Sequence, residues 1–286
     1  MNKSFQQEII FVTGKGGVGK SAVAAGIALK RSKQGKKTLL VELGYQSFYT
    51  DYFSDQLKSP VGFSPVRLTE NLDVALWSGP DCLREYAIYL LKSESIYKLF
   101  FENAVSKALI NIAPALPELA ITGKITSGPR QVGPPLKYDA IVVDAFATGH
   151  FLALLKAPQG MAEAIKFGPM GDQSRSIDKV LRDSQQCKYF VVSLPEELPT
   201  AESLELAAGI EKILGTQPVI VMNKMLPVEN LPNQGSTEFE KFLAKSQERQ
   251  NQALSLLGSR PIQKISFCFQ SETWKIVESI SQEINL

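Results

Sequence analysis

The chain has 286 residues, 44% of them hydrophobic, and its 31 Lys and Arg nearly balance 29 Asp and Glu to leave a formal charge of +2. This composition excludes a disordered chain, and the small net charge excludes a strong overall attraction to nucleic acid, so no nucleic-acid partner is expected. No apolar run approaches the about 18 residues that a membrane span needs, and no signal peptide is recognisable, so we expect a cytoplasmic protein without an integral membrane segment.

Short apolar runs rich in β-branched residues alternate with helical patterns along the chain, which is typical of a parallel sheet with helices on both faces. The predicted strands are residues 8–13, 38–43, 72–77, 140–144, 189–194, 219–223 and 262–267. The predicted helices are residues 21–34, 200–214, 239–257 and 272–284. The Pro- and Gly-rich residues 128–135 are predicted to form a surface loop. The alternation predicts an α/β protein with a three-layer, doubly wound, mostly parallel sheet in a single domain over residues 1–286.

The segment between the first predicted strand and the first predicted helix fits the phosphate-binding pattern G-x-x-x-x-G-K-[ST]. Its residues are Gly14, Lys15, Gly16, Gly17, Val18, Gly19, Lys20 and Ser21. A triphosphate needs converging backbone N–H donors, and glycines let the backbone curl around a phosphate without Cβ clashes. Lys20 would place its charge between the β- and γ-phosphates, and the Ser21 hydroxyl would be a magnesium ligand. The segment therefore predicts a binding site for a nucleoside triphosphate with Mg²⁺.

Residues 81–125 depart from the alternation, because they are helical in pattern and rich in large apolar side chains. They are predicted to form a helical subdomain inserted within the single domain. Two interpretations are open: an amphipathic cap packed on the sheet, or an apolar groove for a protein client or a membrane partner.

The predicted strand 140–144 ends in Asp144, which is the placement needed to hold a magnesium-bound water opposite Ser21. An aspartate at the end of a strand could equally cap the next helix. Shortly after it come Thr148, Gly149 and His150. The glycine in this stretch favours a flexible loop near the γ-phosphate, which would act as a nucleotide-sensing switch.

The predicted strand 219–223 ends in Asn223. Its amide offers both a donor and an acceptor, as the edge of adenine requires. The position alone does not distinguish a base-reading residue from an ordinary turn at the end of a strand.

With these residues, the chain resembles the ArsA-type ATPases, the soluble ATPase subunits of arsenite pumps and their relatives that target tail-anchored membrane proteins. The resemblance implies a SIMIBI-type P-loop NTPase fold with ATP/ADP and Mg²⁺ as cofactors. Lys15 matches the extra lysine of the family's deviant loop K-G-G-V-G-K-[ST], which reaches across a dimer to the partner's nucleotide. A nucleotide-sandwich homodimer, or a heterodimer with a paralogue, is therefore implied.

Further along the chain, Asp144 and the Thr148-Gly149-His150 stretch are similar to the family's second switch, D-[TA]-x-x-T-G-H. The same resemblance implies that Asn223 reads adenine. The residues implied to lie beside the base are Pro195, Phe267 and Phe269.

The first switch departs from the family, whose members usually carry an aspartate after the second strand to orient the attacking water. Gly44 stands at that place. Losing such a group typically costs on the order of a hundred- to ten-thousand-fold in rate, so slow turnover is expected unless Glu42, Asp51 or Asp55 substitutes. The candidate catalytic residues are Lys15, Lys20, Glu42 and Asp51.

Three functions are compatible with these observations. The first is a cytoplasmic, dimeric, ATP-dependent switch that hydrolyses ATP slowly and couples its nucleotide state to a partner or cargo. The second is a pseudo-ATPase, a regulatory or partner subunit that binds ATP without turnover, and Gly44 motivates it. The third is a positioning ATPase like MinD or ParA, which ranks last because the acidic Glu278 and Glu283 lie where a basic amphipathic tail would be expected.

Overall fold

The computed structural model describes residues 7–92, 115–226 and 237–286. Residues 93–114, in the middle of the predicted helical subdomain, lie outside the described residues, as do 1–6 and 227–236. Within the described residues, eight strands form one sheet, with apolar layers of helices on both of its faces. The predicted α/β fold class, with a mostly parallel sheet, is confirmed.

The strands and helices follow one another in the predicted alternation. The strands are β1 (Glu8–Gly14), β2 (Thr38–Leu43), β3 (Val66–Thr69), β4 (Leu72–Trp77), β5 (Ala140–Asp144), β6 (Cys187–Ser193), β7 (Val219–Met225) and β8 (Ile262–Ser266). The helices are α1 (Lys20–Lys33), α2 (Tyr49–Tyr52), α3 (Gly79–Leu91), α4 (Leu116–Ile125), α5 (Ser127–Arg130), α6 (Thr148–Ala164), α7 (Pro169–Arg182), α8 (Glu197–Leu214), α9 (Glu238–Leu256) and α10 (Thr273–Glu283). All seven predicted strands are present, and their ends differ from the predicted ones by at most two residues.

The sheet places β1 near its centre. The strand order is β3-β4-β2-β5-β1-β6-β7-β8, and these neighbours are parallel except for β3 and β4. The chain runs from β1 to one side of the sheet through β2 and β4, and later to the other side through β6, β7 and β8. The segments that leave the carboxyl ends of the strands therefore diverge around β1, which is where open α/β sheets bind their ligands.

β1 is buried on both faces of the sheet, as its continuous apolar run predicts. Ile9 and Phe11 belong to one core layer, which contains residues of α4, α6 and α7. Ile10 and Val12 belong to the opposite layer, with residues of α1 and α10. All four side chains are completely buried, and full burial of each contributes about 1.5–3 kcal/mol. The strand that leads into the predicted phosphate loop is thus held from both sides.

Several elements differ from the sequence-based expectation for identifiable reasons. β3 was not predicted because its four residues are too few to show a periodic pattern. α6 was not predicted because Pro158 lies inside it, and proline normally argues against a helix interior. α8 begins at Glu197, three residues before the predicted start, because Pro199 lies in its first turn, where no N–H is needed. The prediction of a loop over residues 128–135 is wrong at its start, since α5 extends to Arg130.

The described part of the helical subdomain packs closely on the sheet. α3 and α4 contact each other, and α4 also contacts α6. Lys124 of α4 is buried, and its ammonium lies 4.8 Å from the ring centre of Phe63 and 4.6 Å from that of Trp77. The same ammonium pairs with Glu85 of α3. These contacts support the interpretation of α3 and α4 as a cap on the sheet.

Candidate functional site

The loop between β1 and α1 has a backbone that demands glycine. Gly17 and Gly19 have φ angles of 85° and 86°, in the left-handed region. Gly14 has a φ of 150°, and a Cβ atom there would lie 2.4 Å from the carbonyl oxygen of Val192 in β6. A side chain at Gly14 would therefore collide with the backbone of β6. Glycine is thus a backbone or steric requirement at three positions of this loop, Gly14, Gly17 and Gly19.

The loop is anchored at one point and open elsewhere. Val18 is buried in the core layer that contains α1. Lys15, Gly16 and Gly17 are exposed. The turn before α1 is consequently rigid at its base and accessible to a ligand at its tip.

Lys20 and Asp144 lie together at the carboxyl edge of the sheet. Lys20 is the first residue of α1, and Asp144 is the last residue of β5, the strand beside β1. The Lys20 ammonium donates a hydrogen bond of 3.0 Å to Asp144 Oδ1. The Asp144 side chain is only 3% exposed. A buried carboxylate at this edge of the sheet is what the predicted magnesium site requires.

Tyr49 of α2 also belongs to this site, although the sequence analysis did not single it out. Its hydroxyl lies 2.8 Å from the carbonyl oxygen of Ser21 and 3.2 Å from Asp144 Oδ2. Burial first, and then the negative charges of Asp144 and Glu42, raise the pKa of Tyr49 well above its usual value. The hydroxyl therefore stays protonated and able to donate. Nothing in the sequence distinguishes Tyr49 from Tyr52 in the same aromatic segment.

The residues present fit a magnesium ion bound with a nucleotide. The Tyr49 hydroxyl contacts both the backbone carbonyl oxygen of Ser21 and Asp144 Oδ2, so the Ser21 backbone lies close to the Asp144 carboxylate. Hydroxyl and carboxylate oxygens are the hard donors that Mg²⁺ prefers, and Mg²⁺ is commonly held by only one or two protein groups plus substrate phosphates. The Lys20 ammonium already occupies the cation position next to Asp144.

Glu42 lies beside Asp144 in the sheet but has different partners. One of its oxygens accepts a hydrogen bond of 2.7 Å from the Ser47 hydroxyl, and the other accepts one of 2.8 Å from the Phe48 N–H. Burial raises the pKa of Glu42, against the effect of these two hydrogen bonds, and the charge of Asp144 raises it further. Both oxygens thus hold the segment that follows β2.

The other acidic candidates, Asp51 and Asp55, are exposed. Gly44, at the first-switch position, is half-buried. A Cβ atom added there would have Gln46 O at 3.9 Å and Leu76 Cδ1 at 4.0 Å as its nearest described neighbours, which are ordinary contacts. Gly44 is therefore free of a steric requirement for glycine, in contrast to Gly14.

The second-switch stretch begins a helix. Thr148, Gly149 and His150 form the first turn of α6, and residues 145–147 connect it to β5. The prediction of a flexible loop at these three residues is corrected, because they continue into a 17-residue helix. The Thr13 hydroxyl donates a hydrogen bond of 2.8 Å to the carbonyl oxygen of Phe146. The connection is therefore tied directly to β1, next to the phosphate loop.

Asn223, the predicted adenine reader, contacts the phosphate loop itself. Its side chain is 4% exposed, and Nδ2 donates a hydrogen bond of 2.8 Å to the carbonyl oxygen of Val18. A Cβ atom on Gly19 would lie 2.4 Å from the same nitrogen. Asn223 thus supports the loop from the side of β7, and a contact with adenine stays a prediction.

A groove of about 630 Å³ lies at the carboxyl ends of β6 and β7. Its lining includes Pro195, Lys224, Phe242, Arg249 and Phe267. Phe269 packs edge-on against Phe267, with 4.8 Å between ring centres. The groove joins the loop at Lys224, whose Cε lies 3.8 Å from where a Cβ of Gly19 would be. Glu196 and Glu197 also line the groove and balance the charges of Lys224 and Arg249. The aromatic rings of Phe242 and Phe267 suit a flat base.

Lys15 is tied back to its own chain. Its ammonium pairs with Glu202 of α8, and half of the Lys15 side chain remains exposed. No sequence pattern predicts this pair, because the partners are 187 residues apart.

A family model described as "Anion-transporting ATPase" matches residues 7–171. This span contains the loop after β1, β2, the helical subdomain, Asp144 and the second-switch stretch. Among the described helices, none is both long enough and apolar enough to cross a lipid bilayer.

Individual relatives align over most of this chain. ATPase BagA of Mycobacterium tuberculosis is 30% identical over 233 residues, which cover 77% of this chain and 66% of that protein. A protein of Halobacterium salinarum is 28% identical over 238 residues, which cover 76% of this chain and 35% of that protein. ATPase ASNA1 homolog 1 of Paramecium tetraurelia is 26% identical over 254 residues, which cover 76% of this chain and 74% of that protein. The chain thus spans about two thirds of the length of ATPase BagA and about a third of the length of the Halobacterium salinarum protein.

Proposed function

Because the chain belongs to the anion-transporting ATPase family, we propose that it is a cytoplasmic, dimeric switch that binds ATP with Mg²⁺ and hydrolyses it slowly. The strongest support is the 3.0 Å contact between Lys20 Nζ and Asp144 Oδ1 beside the glycine loop. It joins a phosphate-binding cation and a metal-binding carboxylate at the edge of the sheet where ligands bind.

The proposed binding mode uses groups whose positions are fixed. The backbone N–H groups of the loop and the N-terminus of α1 hold the phosphates. Lys20 exchanges Asp144 for oxygens of the β- and γ-phosphates, and Ser21 and Asp144 hold the magnesium ion. A bound Mg²⁺ would supply stabilisation of the charge that develops on the phosphates. The groove at Pro195 and Phe267 takes the base.

Dimerisation gives Lys15 its role in this proposal. In a single chain it pairs with Glu202, but the half-exposed ammonium is able to move to another anion. Exposed ion pairs contribute only about 0–1 kcal/mol, so a triphosphate of a facing subunit competes easily with Glu202. Lys15 then stabilises the phosphates of the partner.

Slow turnover follows from the first switch. Gly44 has no side chain to orient a water molecule, and both oxygens of Glu42 hold Ser47 and Phe48. A missing base or water-orienting group costs about 10²–10⁴-fold in rate. Lys20 remains to stabilise the charge of the transferred phosphoryl group.

The test is phosphate release from ATP and MgCl₂ by the purified chain, with protein concentration varied. Lys20→Ala removes the phosphate contact and should abolish release. Lys33→Ala is the matched control, because Lys33 is a half-exposed lysine at the other end of α1 that pairs with Glu278. Release that survives in Lys20→Ala would contradict the proposed role of the loop. A specific activity independent of protein concentration, down to nanomolar protein, would contradict an active dimer.

The second candidate function is a pseudo-ATPase that binds ATP to fix a dimer without turning it over. Gly44 favours this function, and the space around Gly44 allows a side chain to be added there without a steric clash. Gly44→Asp should create phosphate release where the wild type has none, whereas Gly44→Asn, which has the same shape without the carboxylate, should not. A wild-type chain that already releases phosphate at a rate abolished by Lys20→Ala would rule this candidate out.

We also propose that the helical subdomain couples the nucleotide state to a protein client or a membrane partner. α3, α4 and α7 line an apolar pocket of about 230 Å³, which includes Tyr86, Leu119, Met170 and Ile177. α4 packs on α6, whose first turn carries the second-switch residues. Binding of a fluorescent apolar helical peptide should differ between ATP and ADP. Equal affinity in both would contradict the coupling.

A further inference from the structure

Tyr49 places a hydroxyl inside the candidate magnesium site from the segment that follows the first switch. The residue is completely buried. Its hydroxyl has two acceptors within reach, the Ser21 carbonyl oxygen at 2.8 Å and Asp144 Oδ2 at 3.2 Å. A buried hydroxyl without a partner costs about 1–3 kcal/mol, so this position is stable because of these two oxygens.

Packing fixes where this hydroxyl lies. The Tyr49 ring stacks on Phe53 at 5.4 Å with an interplanar angle of 6°, and Phe48 meets it edge-on at 5.6 Å. The ring is part of the core layer that contains α1 and α10. A ring held in this way cannot follow the movements of a ligand, so the hydroxyl is a fixed point in the site.

The segment that carries Tyr49 is fixed at its start as well. Ser47 and the Phe48 N–H bind the carboxylate of Glu42. Glu42 in turn is the register partner of Asp144 in the adjacent strand. The position of Tyr49 relative to Asp144 is therefore determined both by the pairing of β2 with β5 and by the packing of the Tyr49 ring in the core.

The two oxygens of Asp144 have separate donors. Lys20 binds Oδ1, and the Tyr49 hydroxyl lies beside Oδ2. When Lys20 turns to the phosphates, its hydrogen bond to Asp144 is lost, whereas the packed Tyr49 remains. A donor of this kind orients a metal-binding carboxylate, and removing one typically weakens metal affinity about 10–100-fold.

We propose that Tyr49 is a positioning residue of the magnesium site, whose hydroxyl holds the Asp144 carboxylate and the first turn of α1 in the metal-binding arrangement. This inference rests on the proposed function, because it places Mg²⁺ with a nucleotide at Ser21 and Asp144. It also links metal binding to the first switch, because Tyr49 lies five residues after Gly44 in the same segment.

The experiment compares Tyr49→Phe with Tyr52→Phe. Each removes one hydroxyl from α2 and keeps the aromatic ring, and Tyr52 stacks on Phe48 in the same aromatic group. A fluorescent ATP analogue is bound to each protein, first in EDTA and then during a titration with MgCl₂. Tyr49→Phe should raise the magnesium concentration at half-effect about tenfold or more and leave the affinity in EDTA within about twofold. Tyr52→Phe should match the wild type in both.

A second readout follows the metal directly. The electron paramagnetic resonance signal of free Mn²⁺, recorded with ADP and protein, should show about tenfold weaker Mn²⁺ binding by Tyr49→Phe and an unchanged affinity for Tyr52→Phe. A Tyr49→Phe protein with the magnesium and manganese affinities of the wild type would overturn the inference alone. A wild-type protein that bound no nucleotide would overturn the proposed function, and the inference with it.

Discussion

Glu42 and Asp144 are register partners on the neighbouring strands β2 and β5, yet their carboxylates serve different parts of the site. Asp144 contacts Lys20 and Tyr49. Glu42 binds Ser47 and the Phe48 N–H, which belong to the first-switch segment. One pair of adjacent strand ends thus supplies both the carboxylate proposed to bind the metal and the carboxylate that holds the segment after β2.

The raised pKa of Glu42 predicts a pH dependence of stability. Between the pKa of an unfolded glutamate and the higher pKa in the folded chain, the folded state binds more protons, so the free energy of unfolding falls as pH rises. Relative to Glu42→Gln, the wild type should lose stability as pH rises above about 4.5, and the difference should level off above the folded pKa. Urea unfolding from pH 4 to pH 8 measures it. A difference that stays constant over this range would contradict the raised pKa.

The glycines of the phosphate loop should differ sharply in their tolerance of alanine. Gly14→Ala forces a Cβ against Val192 O and should cost about 2 kcal/mol or more. Gly16→Ala, where a Cβ would meet no described atom within 4 Å, should change stability by less than about 0.5 kcal/mol. Thermal unfolding of the two variants gives the comparison. Equal losses would mean that the loop backbone is not shaped as described.

Asn223→Ala should both destabilise the fold and weaken nucleotide binding. The change leaves the Val18 carbonyl oxygen without its buried donor, which costs about 1–3 kcal/mol. The loop that Asn223 supports would also lose its fixed position. Denaturant unfolding and binding of a fluorescent ATP analogue are the two measurements. Asn71→Ala, in the turn between β3 and β4, is the control and should affect neither. Unchanged stability in Asn223→Ala would argue against the contact.

Lys124→Met should destabilise the attachment of the helical subdomain. It removes a buried ammonium from between Phe63 and Trp77 and leaves Glu85 without this partner. The expected loss is about 1–3 kcal/mol. Lys275→Met breaks an exposed pair with Glu272 and should cost less than about 0.5 kcal/mol. The free energies of unfolding of the two variants are measured in urea. Equally small losses in Lys124→Met and Lys275→Met would refute the proposed attachment.

Glu202→Gln should promote the ATP-dependent dimer, if Lys15 acts on the nucleotide of a partner. The variant removes the charge that holds Lys15 in its own chain. An exposed pair is worth about 0–1 kcal/mol, and a symmetric dimer releases two of them, so the protein concentration at half-dimerisation should fall by up to about thirtyfold. Sedimentation velocity with ATP and MgCl₂ measures this concentration. Glu205→Gln, on an exposed position of the same helix, is the control. A weaker dimer in Glu202→Gln would contradict the competition.

Local patterns in the sequence were sufficient for the strands, the loop after β1 and the position of Asp144. Each depends on neighbours within a few residues, such as the apolar run of β1 and the glycines that follow it. α6 escaped prediction because Pro158 lies within it, and β3 because it is only four residues long. In these elements, packing against the sheet overrides weak local preference.

The contacts that complete the site join residues far apart in the chain, so no local sequence pattern predicts them. Tyr49 is 95 residues from Asp144, and Asn223 is 205 residues from Val18. Side chains of these types occur in many turns and aromatic segments, so their roles emerge only when the sheet brings the strand ends together. The sequence alone was sufficient to predict the phosphate loop and the carboxylate at the end of β5, whereas the residues that hold them in position could be identified only from the fold.

The hydrogen bond from Asn223 to Val18 spans β6, because β7 and β1 are separated by that one strand. Adjacent strands lie about 4.8 Å apart, so β7 and β1 run roughly 10 Å apart in a hydrogen-bonded sheet that stretches little. In the proposed binding mode, the groove beside β7 and the loop after β1 therefore keep a constant separation. An anion too small to reach both places would make only part of the contacts that a nucleotide makes.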